Sequence, residues 1–373
     1  MSGSPHILLV AAATSTSGGG ERHVADLLRL LPARGFHVSL ACPPGGDLPA
    51  LARELGIAVR EVSIADGLRP GAVLALRRAI RELAPDVVHA HGSRAAFFAR
   101  LADPRASSRC VYTLHGIHID KAGSPMRRAV FLTLERFLRP RTAWFITVCA
   151  ADLGKGERLG LIDPSRTSVV FNGIATPAIA PLGGLRGELG VGEGMPLVLS
   201  VGRFHEQKDQ DTLLRAWTLV LERRPDSVLA LVGSGPLEAA LREQSAALGL
   251  ADSVRFLPPR PDLALAYADA NVFVLTSLWE GLPYVVLEAM SYGLPVAATA
   301  VDGVPEAVAD GESGMLFPPS DPAAAAAVIV ELLDDPARAA AMGAIGRIRV
   351  ADLFGLDAMA DATAAVYRQV THR

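Results

Sequence analysis

Short apolar runs recur along the chain, and between them lie longer stretches whose apolar residues fall at helical spacing. The first series of runs covers 7–12, 38–41, 59–62, 87–90, 111–114, 145–148 and 169–171. The second covers 197–201, 228–232, 254–257, 272–275, 296–298 and 315–317. Runs this short, rich in β-branched residues and apolar without alternation, predict strands buried on both faces. Repeated βα units then imply two parallel sheets wrapped by helices, an α/β fold with two Rossmann-like, doubly wound domains.

Between the series, residues 176–195 are rich in Pro and Gly, including Pro177, Pro181, Gly183, Gly184, Gly192 and Gly194, and predict a linker. The expected organisation is a domain over 1–175, this linker, a domain over 196–350 and a last helix over 351–373. In that last segment Leu356, Met359, Ala360, Thr363, Val366, Tyr367 and Val370 share one helical face, suited to packing back on the first domain. Doubly wound domains bind ligands beyond their strand C-termini, so two of them facing one another would line a central cleft.

Composition narrows the class. A chain of 373 residues suits two domains, and with half of its residues apolar it can bury both cores. No segment approaches the ~20 apolar residues that span a bilayer. The opening run at 6–13 lacks a basic leader and reads as a buried first strand, not a signal peptide. Cys42, Cys110 and Cys149 are scattered without CxxC or Cys/His spacing, so no disulfide framework or zinc site is indicated and a reducing cytoplasm is expected. The net charge of −3 conceals an asymmetry: residues 1–175 carry 22 Lys/Arg against 14 Asp/Glu, and residues 176–373 carry 14 against 25. The basic half is expected to meet something anionic, though not a nucleic acid.

The richest candidate chemistry lies at 277–295, running from a strand end through a loop into a helix. Pro283 suits a first helical turn, and amides near Gly281 and Leu282 would then face an anion or hydroxyl. Glu280 precedes that helix, while Glu288 stands inside it among Val285, Val286, Leu287, Ala289 and Met290. A carboxylate in such surroundings needs hydrogen-bond donors, which sugar hydroxyls supply; a solvated face or a buried Arg partner is the plain alternative. After the strand at 197–201, Arg203 and Lys208 are placed to flank a diphosphate and to neutralise it as it departs; taken alone, each also reads as a solvated surface cation. Asp209 and Asp211 resemble a metal-binding DxD, but they directly precede a helical pattern, so N-capping is expected and no metal is required.

Gly233 and Gly235 end another strand, as a close backbone approach to a ligand would demand. In the first half, Ser17 to Arg22 follows strand one with Gly18, Gly19 and Gly20, a spacing that is not the GxGxxG dinucleotide fingerprint. Three histidines end first-half strands. His89 reads as structural, His91 is open between structure and function, and His115 reads as functional.

Taken together these residues resemble glycosyltransferase family 4, the retaining glycosyl transferases group 1 of GT-B fold. The resemblance runs from Gly18-Gly19-x-Glu21 through Asn172-Gly173-Ile174 and Gly202-Arg203 with Lys208 to Glu280 and Glu288. It implies a nucleotide diphosphate sugar held mainly by the second domain, a UDP-sugar being the expected donor. Arg203 and Lys208 would grip the diphosphate, with Gly233 and Gly235 beside it. Glu288 would hold the ribose, and Glu280 with Gly281, Leu282 and Pro283 the sugar. Gly18 and Gly19 would approach from the other domain, and His115 matches the family histidine near the donor sugar. The sequence departs from the family pattern at Ala175, at Pro258, which removes an N–H where the base is expected, and at Asp302 before Gly303.

The resemblance also implies retention of anomeric configuration, with the departing phosphate assisting the acceptor hydroxyl and no covalent nucleophile assigned. The acceptor, a carbohydrate or lipid-linked precursor, is expected on the first domain. There the segment 121–141 combines Lys121, Arg127, Arg128, Arg136, Arg139 and Arg141 with Met126, Val130, Phe131, Leu134 and Phe137, the makings of a basic amphipathic helix at the inner face of an anionic membrane. An ordinary solvated helix is the alternative. Competing activities are a sugar-nucleotide epimerase of the same architecture and a noncatalytic sugar-nucleotide binding module; a nicotinamide-dependent dehydrogenase lacks its glycine spacing.

Overall fold

Apolar runs without alternation form strands here because helices cover both faces of each sheet. The computed structural model describes residues 4–16, 18–64, 70–119, 124–177, 184–192, 194–260 and 263–372. Strands β1 (His6–Ala11), β2 (His37–Cys42), β3 (Ala58–Glu61), β4 (Val87–His91), β5 (Cys110–Leu114), β6 (Trp144–Thr147) and β7 (Thr167–Val169) make one sheet in the order β3-β2-β1-β4-β5-β6-β7. Strands β8 (Leu197–Val201), β9 (Val228–Val232), β10 (Val254–Leu257), β11 (Val272–Leu275), β12 (Val296–Thr299) and β13 (Gly314–Phe317) make a second, ordered β10-β9-β8-β11-β12-β13. Every pairing in both sheets is parallel.

Side chains alternate across each pleat, so β1 feeds two cores. Ile7 and Leu9 pack with Val24, Leu27 and Leu28 of helix Gly19–Leu30, and with Met359, Val366, Tyr367 and Val370 of the last helix, Leu356–Thr371. Leu8 and Val10 face the other way, toward Val88, Ala90, Phe98, Tyr112 and Phe145. In the second sheet Val198, Leu229, Leu231 and Val274 pack on Leu213, Leu214 and Trp217 of helix Gln210–Arg223. The strand order reverses between β1 and β4 and again between β8 and β11, which makes the carboxyl ends of those four strands the ligand-binding positions of each sheet.

The chain divides into two compact units, residues 1–173 with 356–373 and residues 174–355. The stretch read as a linker therefore lies inside the second unit. Its described part holds helix Gly184–Leu189, where Leu185 is buried and the Asp269 carboxylate accepts from Leu185 N (2.7 Å) and Arg186 N (3.0 Å). A side-chain acceptor for the orphan amides of a helix start explains why a Gly-rich segment is ordered here. Pro181 and Gly183 lie outside the described residues. The last helix also begins later than read: residues 351–353 end helix Pro336–Leu353, and the first unit resumes at Leu356.

Candidate functional site

In the second unit, three loops at strand carboxyl ends are tied together by backbone. Gly202 N donates to Val232 O (3.0 Å) and Phe204 N to Ser234 O (2.8 Å), with the Phe204 ring buried beneath. A Cβ on Gly233 would stand 1.9 Å from Gly202 O, and one on Gly235 2.3 Å from Phe204 O. The close approach that these glycines permit is thus to the chain's own loop, where the sequence reading assigned it to a ligand. Beyond Phe204 a 3-10 turn, Glu206–Lys208, leads to Asp209, whose carboxylate takes Thr212 Oγ1 at 2.7 Å and caps helix Gln210–Arg223. Asp211 pairs with Arg215 at 3.0 Å.

The loop after β11 lies along this turn. Thr276 Oγ1 donates to Lys208 O (2.9 Å), Leu278 N to Gln207 O (2.8 Å) and Gln207 Nε2 to Trp279 O (3.0 Å). These bonds deliver Glu280 to Lys208: the ammonium and carboxylate form an ion pair whose side chains are 13% and 8% exposed. Ser277 Oγ donates to the same carboxylate oxygen at 2.7 Å, and Asp302 Oδ2 holds Glu280 N at 2.9 Å. A pair this dry has given up hydration on both ions, so an incoming diphosphate that draws the ammonium away must leave the carboxylate another donor.

Pro283 differs from its reading. Its φ of −75° and ψ of 118° make it the N-cap, and the helix proper is Tyr284–Ser291, because an extended ψ ends the loop before the first turn. Gly281, Leu282 and Pro283 are all buried. Glu288 is half-buried in that helix and accepts from Tyr267 Oη at 2.7 Å. Arg203 is exposed, with its guanidinium at 3.2 Å from Gln207 Oε1. Lys208 and Glu280 are brought into contact; Arg203 stands on the same loop as Lys208, and Glu288 on the helix that follows Glu280.

In the first unit Gly18 is the N-cap of helix Gly19–Leu30, its carbonyl taking Arg22 N at 2.8 Å, and Gly19 is exposed. Ser17 lies outside the described residues. His115 follows β5, and Gly20 lies so close that a Cβ there would sit 3.2 Å from the imidazole. Four imidazoles gather at this end of the sheet. His91 Nδ1 meets His115 Nε2 at 3.2 Å; His89 lies 4.0 Å from His91 between ring centroids; His23 stands 5.4 Å from His91 and 5.1 Å from His115. His89 is fixed by Tyr367 Oη (2.6 Å) and Thr113 Oγ1 (2.7 Å), and His23 by Asn172 Oδ1 (3.1 Å). Burial lowers the pKa of all four: His23 to about 4, the others well below the usual histidine value, with neighbouring imidazoles pushing those three the same way.

Sequence reasoning missed the parts played by Ser277, Gln207 and Asp302, because polar residues between regular elements carry no periodic signal, and that of Tyr267, which reads as an ordinary buried aromatic of helix Ala264–Asp269. It missed His23 because a histidine inside an amphipathic helix reads as an ordinary half-buried residue. Of the basic segment, helix Pro125–Leu138 exposes Met126 (76%), Val130, Leu134 and Phe137 (74%), with Arg127 and Arg128 also exposed. Arg136 and Arg141 donate instead to backbone carbonyls of Leu159, Arg100 and Asp103, and Lys121 lies outside the described residues. No helix among the described residues is long and apolar enough to cross a membrane.

Residues 185–349 match the family model of glycosyl transferases group 1, and residues 17–177 that of Glycosyltransferase Family 4. A D-inositol 3-phosphate glycosyltransferase from Streptomyces scabiei is 30% identical over 96% of this chain and 88% of its own. A UDP-Gal:alpha-D-GlcNAc-diphosphoundecaprenol alpha-1,3-galactosyltransferase from Escherichia coli is 27% identical over 85% of each chain. Among solved structures, a sucrose-phosphate synthase from Thermosynechococcus elongatus superposes with a TM-score of 0.83 at 25% identity, over 98% of this chain and 99% of that one.

Proposed function

Since the chain belongs to glycosyltransferase family 4, the glycosyl transferases group 1, and is a glycosyltransferase of GT-B fold, we propose that its donor is a UDP-sugar and that it retains the anomeric configuration. The acceptor hydroxyl belongs to a lipid-linked or polysaccharide precursor. The observation that carries this reading is the Lys208–Glu280 pair, held by three loops at the β8/β11 switch point of the second sheet. The E. coli relative, named for a UDP-galactose donor and a diphosphoundecaprenol-linked acceptor, supports the donor base and the acceptor class.

In this reading the diphosphate takes up Lys208 and Arg203, which stabilise the negative charge that grows as the anomeric bond breaks. Glu280, released from Lys208 and still bonded to Ser277, accepts from a hydroxyl of the donor sugar, beside Gly281, Leu282 and Pro283. Glu288, steadied by Tyr267, receives the ribose hydroxyls. Gly233 and Gly235 act by holding the Arg203 loop. His115, with Gly18 and Gly19, is assigned to sugar contacts. The departing phosphate accepts the proton of the acceptor hydroxyl, so the reaction needs no protein nucleophile and no metal, Asp209 and Asp211 being engaged in capping and pairing. The acceptor is delivered at the cytoplasmic face of a membrane, where the exposed apolar stripe of Pro125–Leu138 and its two arginines rest on anionic lipid.

The test is a panel of UDP- and GDP-sugars, screened for thermal stabilisation and then incubated with lipid-linked and saccharide acceptors in anionic or neutral vesicles. The expected result is stabilisation by one UDP-sugar, an α-linked product from an α-linked donor, and sedimentation with anionic vesicles only. An epimerised donor without acceptor, or binding without turnover across the panel, would replace this function with one of the two competing activities.

A further inference from the structure

The histidine cluster of the first unit holds more than one sugar-facing side chain. Each neutral imidazole carries one N–H and one lone pair, and burial keeps these four neutral. The His91 Nδ1 to His115 Nε2 contact at 3.2 Å therefore contains a single proton. If that proton sits on His91 Nδ1, then His115 must carry its own on Nδ1. If it sits on His115 Nε2, then His91 must carry its own on Nε2. The two rings are bound to the same tautomer, and their outer nitrogens are bound to opposite characters.

Those outer nitrogens, His91 Nε2 and His115 Nδ1, are buried and have no partner among the described residues. An unmet polar atom is costly to bury, and His91 as a whole is only 6% exposed. The surroundings hold the pair in place. His89 lies against His91 and is itself locked at both nitrogens, by Tyr367 of the last helix and by Thr113 of β5. Gly20 walls the His115 ring.

We propose that His91 is a positioning residue that holds the His115 ring in orientation and ties its tautomer to its own, so that the two rings answer a sugar oxygen at His115 Nδ1 as one unit. The inference rests on His115 facing sugar, as read above. A hydroxyl that donates to His115 Nδ1 selects the Nε2–H form of both rings; an oxygen that accepts from it selects the Nδ1–H form of both. His91 acts only through His115 and is not itself in contact with the reacting atoms.

Nitrogen-15 spectra of the full chain with labelled histidine read tautomers directly. The expected result is one shared tautomer for His91 and His115. His91→Asn, which keeps a hydrogen-bonding group near the position of Nδ1, preserves the His115 tautomer and most turnover. His91→Leu shifts it and lowers kcat by roughly tenfold, the size of one hydrogen bond's contribution, with donor KM changed less than about twofold. Unlike tautomers in the wild-type chain, an unchanged His115 signal in His91→Leu, or a shifted signal with unchanged kcat would each overturn the proposal. A wild-type chain with matched tautomers but no transfer would count against the transferase reading alone, with the pairing upheld.

Discussion

Burying a neutral histidine has a cost that pH exposes. His23 is 0% exposed, and its pKa falls to about 4 chiefly through desolvation, whereas in the unfolded chain it titrates near 6.5. Between those values the unfolded state binds the proton and the folded state does not, so stability declines as pH falls from about 6.5 toward 4 and is fully retained above 6.5. A shift of this size corresponds to on the order of 3 kcal/mol for His23 alone. His89, His91 and His115 act in the same direction. The expected outcome is a urea midpoint that drops steadily between pH 7 and pH 5, with a shallower slope in His23→Leu; equal slopes in the two proteins would refute the assignment. Little of this was legible in the sequence. His115 could be placed from its strand end, but the company of His23 is set by a helix returning over β4, which no local pattern reports.

Loops and the elements that frame them decide how firmly the candidate site is built. The strands and the capping role of Asp209 were readable, because apolar runs and N-cap residues carry local physical signatures. The purpose of Gly233 was not, since a missing Cβ says only that something comes close. What comes close is Gly202 O, a backbone atom that cannot step aside. Gly233→Ala should therefore force the β8 and β9 loops apart, destabilising the chain by about 1–3 kcal/mol and weakening nucleotide-sugar binding together with it. Thermal melts with and without donor check both effects, and a variant that melts like the wild type would show that the loops have room. The Gly-rich stretch 176–195 misled for a related reason: composition marks chain that can be flexible, while the Asp269 carboxylate that orders Leu185 and Arg186 lies far away in sequence.

At the scale of the whole molecule, the two parallel sheets share one order over six strands, the first adding β7, and the two halves of the chain carry opposite charge, basic in the first and acidic in the second. The fold class followed from the alternation of strands and helices, and the family followed from ordered motifs across both halves. The last helix packs on the first unit through Met359, Val366 and Tyr367, as its apolar face predicts; the boundaries did not follow, since the first unit breaks at Gly173 and resumes only at Leu356. For an acidic second unit to bind a doubly charged diphosphate, as proposed, it must concentrate its cations locally, and the loop after β8 carries both Arg203 and Lys208. Calorimetric titration of UDP into the wild-type chain and into Arg203→Ala/Lys208→Met tests that claim most directly. Saturable one-to-one binding that weakens on the order of a hundredfold in the double variant is the predicted result. Equal affinity in both proteins would place the diphosphate elsewhere and contradict the account.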